Sequence, residues 1–159
     1  MKQHEHRFRY NALRYDELAE PDRRLVELAR QATQRSYAPY SHFHVGAAAA
    51  LENGETVCGS NQENAAFPSG TCAERTAIFY ANAQYPNSAV LTLAIAARDR
   101  NGRFADAPIS PCGACRQVLI ETEFRQKRPL RMLLCGETEI YEIESARQLL
   151  PFAFDDTCM

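Results

Sequence analysis

Apolar positions along the chain change their spacing several times, and each change predicts a different element. After Pro21 they recur every three or four residues, which indicates a helix, and proline suits a first helical position. Two apolar segments, FHVGAAAALE and ETVCGSN, then flank Asn53 and Gly54. An Asn-Gly pair between such segments predicts two strands joined by a hairpin turn.

The second half of the chain continues this alternation. We predict a helix from near Thr71 in TCAERTAIFYANA, a strand in AVLTLAIAAR and a second buried helix in PCGACRQVLIETEF. Short strands are predicted in RMLLCG and EIYEIE, and a closing helix in SARQLLPF. This order predicts an α/β fold: a three-layer α/β/α sandwich with one mixed five-stranded sheet.

Composition and charge limit the classes of protein to consider. Residues 1 to 20 are polar with weak periodicity and are expected to form an N-terminal extension, and residues 21 to 159 a single domain. The formal net charge is −2 and the basic residues are scattered, so nucleic acid is not an expected partner. No apolar run is long enough to span a bilayer, and residues 1 to 10 lack the apolar stretch of a secretory signal. We therefore expect a cytoplasmic protein without a membrane partner.

Two short strings carry the candidate chemistry, CAE from Cys72 and PCGAC from Pro111. In a reducing compartment, closely spaced cysteines indicate metal binding or catalysis rather than disulfides. Cys112 and Cys115 are three residues apart, so in the first turn of a helix their thiols face one point, which Cys72 would join from the other helix. Three protein ligands are typical of a catalytic zinc, which keeps a position open for water, whereas structural zinc usually has four.

The residues beside these cysteines suggest how such a site would work. Glu74 lies two residues after Cys72, close enough to reach a water on the metal without binding the metal itself. We expect it to take a proton from that water and to deliver protons to a ring nitrogen and a departing amine. Three thiolates leave zinc with a formal charge of −1, and Arg75 would offset it by donating hydrogen bonds to a ligand sulfur. Helix N-termini also stabilise thiolates.

Plainer interpretations of the same residue types stay open at this point. A CxxC pair with a distant cysteine also fits a structural zinc knot or a group of buried thiols. His42 and His44 stand at alternate positions where a strand begins, which is typical of surface or packing residues. Cys58 and Cys135 fall in predicted strands as small hydrophobic residues, and Cys158 is a tail thiol.

The sequence resembles the cytidine deaminase family, specifically its small homotetrameric, three-cysteine type, in the strings YAPYSHFHVGAA, NQENAAFPSGTCAERTAI, SPCGACRQVL and LLPFAF. The resemblance covers about residues 21 to 154. It implies a cytidine deaminase-like fold, one Zn²⁺ per subunit and a homotetramer with sites shared between subunits. It also implies a hydrolase of pyrimidine salvage that converts cytidine and deoxycytidine to uridine and deoxyuridine.

The resemblance further implies roles for particular side chains. Asn61 and Glu63 resemble the pair that holds the ribose hydroxyls, and Phe43 the aromatic residue that packs against the pyrimidine ring. Phe154 resembles the aromatic residue that reaches a neighbouring subunit's site, and the backbone around Ala73 would read the polar edge of the base. Phe67 departs from the family pattern, because many relatives carry a tyrosine there whose hydroxyl helps to bind the sugar.

Three other functions fit part of the pattern. The same zinc chemistry would serve deamination of a related small molecule, such as a cytosine-containing antibiotic. A role in binding or editing single-stranded nucleic acid is disfavoured by the scattered charge. A non-catalytic zinc scaffold would leave Glu74 without a purpose. The presence of Asn61 and Glu63 favours a free nucleoside as the substrate.

Overall fold

The predicted alternation of helices and strands is present in the computed structural model, which describes residues 1 to 159 apart from the side chain of Asp156. In this part of the chain the strands are β1 (Asn11–Arg14), β2 (His44–Leu51), β3 (Thr56–Ser60), β4 (Val90–Arg98), β5 (Arg131–Cys135) and β6 (Glu139–Ile143). The α-helices are α1 (Glu20–Ala32), α2 (Ala73–Gln84) and α3 (Gly113–Gln126).

The six strands form one mixed sheet in the order β1-β6-β5-β4-β2-β3. β4 and β5 are parallel, and the other neighbouring pairs are antiparallel. Parallel neighbours require a crossover connection, and α3 provides it between β4 and β5. The α/β class predicted from the sequence is confirmed.

The sheet separates two apolar cores. Residues Leu93 and Ile95 of β4 pack in the core that contains residues of α2 and α3. Ala94 and Ala96 point the other way and pack in the core that contains residues of α1. Side chains of a strand alternate between faces, so β4 is apolar throughout because helices cover both of its faces. This arrangement gives the three layers expected from the sequence.

Two details of the prediction are wrong. The sheet has a sixth strand, β1, which pairs with β6 from inside the predicted N-terminal extension. β1 was missed because it is a short, mostly exposed edge strand and lacks an apolar alternation. The closing helix is only a 3₁₀ turn, Ala146–Leu149. Pro151 explains this, because the residue before a proline favours extended backbone, and Leu150 has φ −143° and ψ 87°. The boundary at residue 20 stays a prediction.

A network of charged side chains joins β1, α1, β5 and β6. The Arg131 guanidinium pairs with the Asp22 carboxylate and, at 2.8 Å, with that of Glu142. Asn11 Nδ2 donates to the same Glu142 carboxylate at 2.9 Å. These contacts tie the edge of the sheet to the start of α1. Within the described residues, no helix is both long and apolar enough to cross a membrane.

Candidate active site

The candidate cysteines lie where α2 and α3 begin. Cys72 is the N-cap of α2 and Cys112 the N-cap of α3, both with extended backbone. N-cap positions usually carry Ser, Thr, Asp or Asn, whose side chains accept a hydrogen bond from the helix. Neither thiol makes such a bond. Both thiols therefore remain available to bind a metal, and both lie at the positive end of a helix dipole.

The three thiols meet at one point, as the spacing predicted. The Sγ atoms of Cys72, Cys112 and Cys115 all lie within 4.8 Å of one another. The distance is 3.9 Å from Cys72 Sγ to Cys112 Sγ and 3.5 Å from Cys112 Sγ to Cys115 Sγ. Tetrahedral zinc with bonds of about 2.3 Å holds its sulfur ligands about 3.8 Å apart. The donor set and its spacing therefore fit a zinc ion.

The thiols of Cys72 and Cys115 differ in pKa because they lie close enough to share a hydrogen bond. The Cys115 thiol and the Arg75 guanidinium act as hydrogen-bond donors to Cys72 and lower its pKa to about 5, against the effect of burial. The pKa of Cys115 is raised, first because its thiol donates to Cys72 and then because of burial. A second negative charge beside the first is thus unfavourable. The three thiols would hold a divalent cation as thiolates, because its charge would offset this penalty.

Arg75 lies where the sequence placed it, beside the cysteines. Its Nη2 atom is 3.9 Å from Cys72 Sγ, within hydrogen-bond reach of a sulfur acceptor. The contact raises the pKa of the guanidinium, so Arg75 stays charged. Its contribution to the charge balance of the metal site stays a prediction.

Glu74 lies in the first turn of α2 with only 5% of its surface exposed. Burial raises the pKa of its carboxyl, and the negative charge of Cys72 adds to this effect. A carboxyl group with a raised pKa accepts and returns protons more readily near neutral pH than an exposed one. The environment of Glu74 therefore suits a proton carrier.

An open cavity of about 510 Å³ lies against this site. Its lining includes Cys72 and Arg75 on one side and Asn61, Glu63 and Phe67 on the other. A backbone pair brings the two sides together: Gln62 N donates to Thr71 O and Thr71 N donates to Gln62 O, both at 2.9 Å. The NQEN string, which was predicted to bind a sugar, thus lies directly beside the cysteines.

The comparisons with known proteins agree with this geometry. The family model for the cytidine and deoxycytidylate deaminase zinc-binding region matches residues 19–128. The chain belongs to this deaminase family. The resemblance seen in the four sequence strings is therefore confirmed, and so is the expectation of a zinc-binding region.

Individual members of the deaminase family match most of the chain. Cytidine deaminase of Halalkalibacterium halodurans is 41% identical over 130 residues, which cover 82% of this chain and 91% of that protein. Cytidine deaminase of Mycobacterium tuberculosis is 40% identical over 112 residues, covering 69% and 79%. The crystal structure of cytidine deaminase from Burkholderia pseudomallei superposes with a TM-score of 0.69 at 38% identity, covering 86% of this chain and all of that one.

The deaminase signature residues outside the metal site have defined partners. Asn61 Oδ1 accepts from Val45 N at 2.8 Å, and Asn61 Nδ2 donates to Phe43 O at 2.9 Å. The amide is therefore oriented by β2 and keeps a second N–H for a ligand. Ala73 is fully buried at the first position of α2, where backbone N–H groups have no partner within the helix.

Glu63 is held by the loop that precedes β2. Its carboxylate accepts from the backbone N–H groups of Tyr40 at 2.9 Å and Ser41 at 3.3 Å, and also from the Ser41 hydroxyl. The Ser41 hydroxyl contributes most to a lowered pKa of Glu63. The side chain is therefore ionised and preorganised as a hydrogen-bond acceptor at the cavity wall.

Three of the five predicted substrate contacts, Phe43, Ala73 and Phe154, do not line this cavity in the single chain. Ala73 is buried at the start of α2. Phe43 is 40% exposed and lines a separate depression with Arg98 and Phe104. Phe154 is 61% exposed, and its carbonyl oxygen accepts from Gln117 Nε2 at 2.7 Å. The substrate-binding roles of all five residues stay predictions.

Sequence reasoning missed the residues that orient the others. Ser41 was part of a quoted string, but its bond to Glu63 joins positions 22 residues apart. Arg116 directly follows the last cysteine of PCGAC and donates to Pro111 O and Leu149 O, each at 2.9 Å. The only sequence signal for either residue was its place beside a motif.

Proposed function

We propose that this protein is a zinc-dependent hydrolase that deaminates cytidine and deoxycytidine to uridine and deoxyuridine. One observation carries the proposal: the cavity lined by Cys72, which belongs to the cluster of three cysteines, is also lined by Asn61 and Glu63. A reactive centre for an exocyclic amine and hydrogen-bonding groups for a sugar thus share one space. The cytidine deaminases that match most of the chain support the choice of substrate.

Cys72, Cys112 and Cys115 would hold the zinc. When bound, zinc supplies a water whose pKa is lowered toward neutrality. The protein contributes the open coordination that three ligands leave, together with the positive ends of α2 and α3. Arg75 balances the negative charge of the thiolates through Cys72.

Glu74 is proposed to move the protons. Its carboxylate takes a proton from the attacking water and passes it to the ring nitrogen beside the reacting carbon. The oxygen of the water bonds to that carbon, and the proton left on this oxygen then goes through the same carboxyl to the leaving amine. A carbon–oxygen double bond thus replaces the carbon–nitrogen bond, and ammonia departs. Burial of Glu74 raises its pKa, which suits a group that must both accept and donate.

The sugar and the base are proposed to be bound by separate groups. Glu63, ionised and fixed by Ser41, accepts from a sugar hydroxyl, and Asn61 donates its remaining N–H. Backbone groups around Ala73 read the polar edge of the base, and Phe43 packs against the pyrimidine ring. The apolar ring of Phe67 on the cavity wall offers the sugar no hydrogen bond.

An activity assay on purified, zinc-loaded protein tests this function. Cytidine and deoxycytidine should lose ultraviolet absorbance as they are deaminated. Glu74→Gln should retain zinc and lower kcat by about 1,000-fold or more, because an amide cannot carry the proton. Glu121→Gln, on an exposed position of α3, is the matched control. Unchanged cytidine and deoxycytidine with the wild-type protein would overturn the function, and a fully active Glu74→Gln would overturn the proton role.

We also propose a homotetramer in which Phe154 completes a neighbouring subunit's site, acting in cytoplasmic pyrimidine salvage. Exposed aromatic side chains support a buried interface, since Phe67 is 78% exposed beside the cavity and Phe79 and Tyr80 are exposed on α2. The six cysteines are free thiols, which suits a reducing compartment. Light scattering should give four times the chain mass of 17.9 kDa, and a fully active monomer would contradict the assembly.

A further inference from the structure

Arg116 directly follows Cys115, and it reaches two separate parts of the chain. Its Nε atom donates to Pro111 O at 2.9 Å, and its backbone N–H donates to Cys112 O at 2.9 Å. One residue thus holds both carbonyls that lead into α3. Because Cys112 is the N-cap of α3, these bonds orient the peptide that carries a proposed zinc ligand.

The other end of the same guanidinium holds the C-terminal segment, defined here as residues 150 to 154. Arg116 Nη1 donates at 2.9 Å to the carbonyl oxygen of Leu149, the residue immediately before this segment. Gln117, the next residue, donates from Nε2 to Phe154 O at 2.7 Å, where the segment ends. The two ends of the segment are therefore fastened to α3 through backbone carbonyls.

The segment has little apolar burial of its own to hold it in place. Phe152 and Phe154 are both exposed in the single chain, so their rings contribute little to anchoring the segment to its own chain. A guanidinium is planar and presents its N–H donors at fixed separation and direction. The position of the Leu149 carbonyl is consequently linked to that of the Pro111 carbonyl. An ammonium group does not impose this relation, because it is a compact charge on a flexible stem.

We propose that Arg116 is a positioning residue that couples the Cys112 ligand loop to the C-terminal segment, and that Gln117 extends this tie to Phe154. The proposal rests on the proposed zinc site. Its consequence is that the affinity for zinc and the order of the C-terminal segment both depend on the Arg116 guanidinium. Gln117 should affect only the segment, because its side-chain amide donates to Phe154 O, whereas Arg116 also donates to Pro111 O of the ligand loop.

Three variants of the full chain test this coupling. Arg116→Lys keeps the charge but loses the rigid two-carbonyl geometry, and Gln117→Leu removes the amide donor at similar volume. Arg125→Lys, at an exposed position of the same helix, is the matched control. The affinity for Zn²⁺ is measured by competition with a chromophoric chelator. The order of the segment is measured as the rate of chymotrypsin cleavage after Phe152 and Phe154 in the zinc-loaded protein.

The expected results differ between the variants. Arg116→Lys should weaken zinc binding by about tenfold, as loss of a partner that orients a metal ligand commonly does, and should speed cleavage after both phenylalanines. Gln117→Leu should speed cleavage after Phe154 while its zinc affinity stays within about twofold of the control. Unchanged zinc affinity or unchanged cleavage in Arg116→Lys would overturn the coupling. So would equal losses of zinc affinity in both variants, which indicate general destabilisation.

Neither measurement depends on nucleoside turnover. If the wild-type protein bound zinc but left cytidine unchanged, the proposed function would fail while the coupling remained tested by chelator competition and cleavage. If cytidine were deaminated but Arg116→Lys behaved like Arg125→Lys, the coupling alone would fail.

Discussion

The face of the sheet under α2 and α3 carries the cysteine site, whereas the face under α1 carries a packed interface. On the first face, both helices begin with a cysteine N-cap whose thiol is not used for capping. On the second, Arg30 of α1 lies over the rings of Tyr15 and Phe104 at 5.4 and 5.3 Å and donates to backbone carbonyls. The Arg30 guanidinium on the α1 face is thus engaged by rings and carbonyls of the protein itself, although its Nε atom has no hydrogen-bond partner among the described residues. The cysteine thiols on the other face are left available to a ligand.

Buried cysteines on the two faces show what this difference means. Cys115 and Cys135 are both buried thiols. Burial raises the pKa of Cys135 to about 12, and its Sγ donates to Leu133 O at 3.5 Å. Cys115 has two other thiols and a helix N-terminus beside it. Burial alone makes a cysteine inert, and convergence with other donors gives it a function.

The largest expected effect comes from making the same change on each face. Cys115→Ala should remove one zinc ligand. The protein should then hold less zinc per chain, and its activity should fall by about 1,000-fold. Cys135→Ala should keep full zinc content and kcat and lower the free energy of unfolding by about 1 kcal/mol. Elemental analysis, kinetics and urea denaturation check the pair. A zinc-loaded, active Cys115→Ala protein would show that the three-thiol site is not the catalytic one.

Two glycines of the β2–β3 hairpin provide the next comparison, because each lies under a helix on a different face. A Cβ atom at Gly46 would lie 2.2 Å from Ala29 O of α1, and one at Gly59 would lie 2.5 Å from Ala77 N of α2. Gly46→Ala and Gly59→Ala should each lower the free energy of unfolding by about 3 kcal/mol, because the backbone of a packed helix must shift.

Only the Gly59→Ala substitution should also lower kcat, because α2 carries Glu74 and has Cys72 as its N-cap. Urea denaturation measures the stability of both variants, and kcat is compared at temperatures where each stays folded. An equal loss of kcat in Gly46→Ala would show that the two faces are not functionally separate.

The smallest expected effects distinguish two arginines. Arg75→Gln should lower kcat about tenfold, because the thiolate charge loses its partner, with little change in the free energy of unfolding. Arg131→Gln should leave kcat unchanged and lower the free energy of unfolding by about 2 kcal/mol at pH 7, because Asp22 and Glu142 lose their shared cation.

The pH dependence of the free energy of unfolding tests the role of Arg131 further. Asn11, and then Arg131, lower the pKa of Glu142 in the folded protein below its unfolded value. The stabilisation is therefore present above the unfolded pKa of about 4.3 and is lost as pH falls through the lower folded pKa. The stability difference between wild type and Arg131→Gln should shrink in urea melts below pH 4 and stay constant from pH 6 to 8. A constant difference down to pH 3 would contradict the ion-pair explanation.

Much of the fold could be predicted because its signals are local. The segments of β2, β4, α2 and α3 carry apolar periodicity and turn residues within ten or fifteen positions. β1 was missed because its stability comes from pairing with β6, more than 100 residues away, as Asn11↔Glu142 shows. The closing helix was predicted too long because the apolar spacing of SARQLLPF was given more weight than Pro151.

The sequence by itself determined which side chains are available and how Cys112 and Cys115 are spaced, because one turn of helix sets that geometry. Only the tertiary structure decided that Cys72 lies 3.9 Å from Cys112 across 40 residues and that Ser41 fixes Glu63. The tertiary structure also placed Arg116 between the ligand loop and the C-terminal segment. Local spacing reports backbone geometry, whereas contacts between remote segments depend on how both apolar cores are buried together.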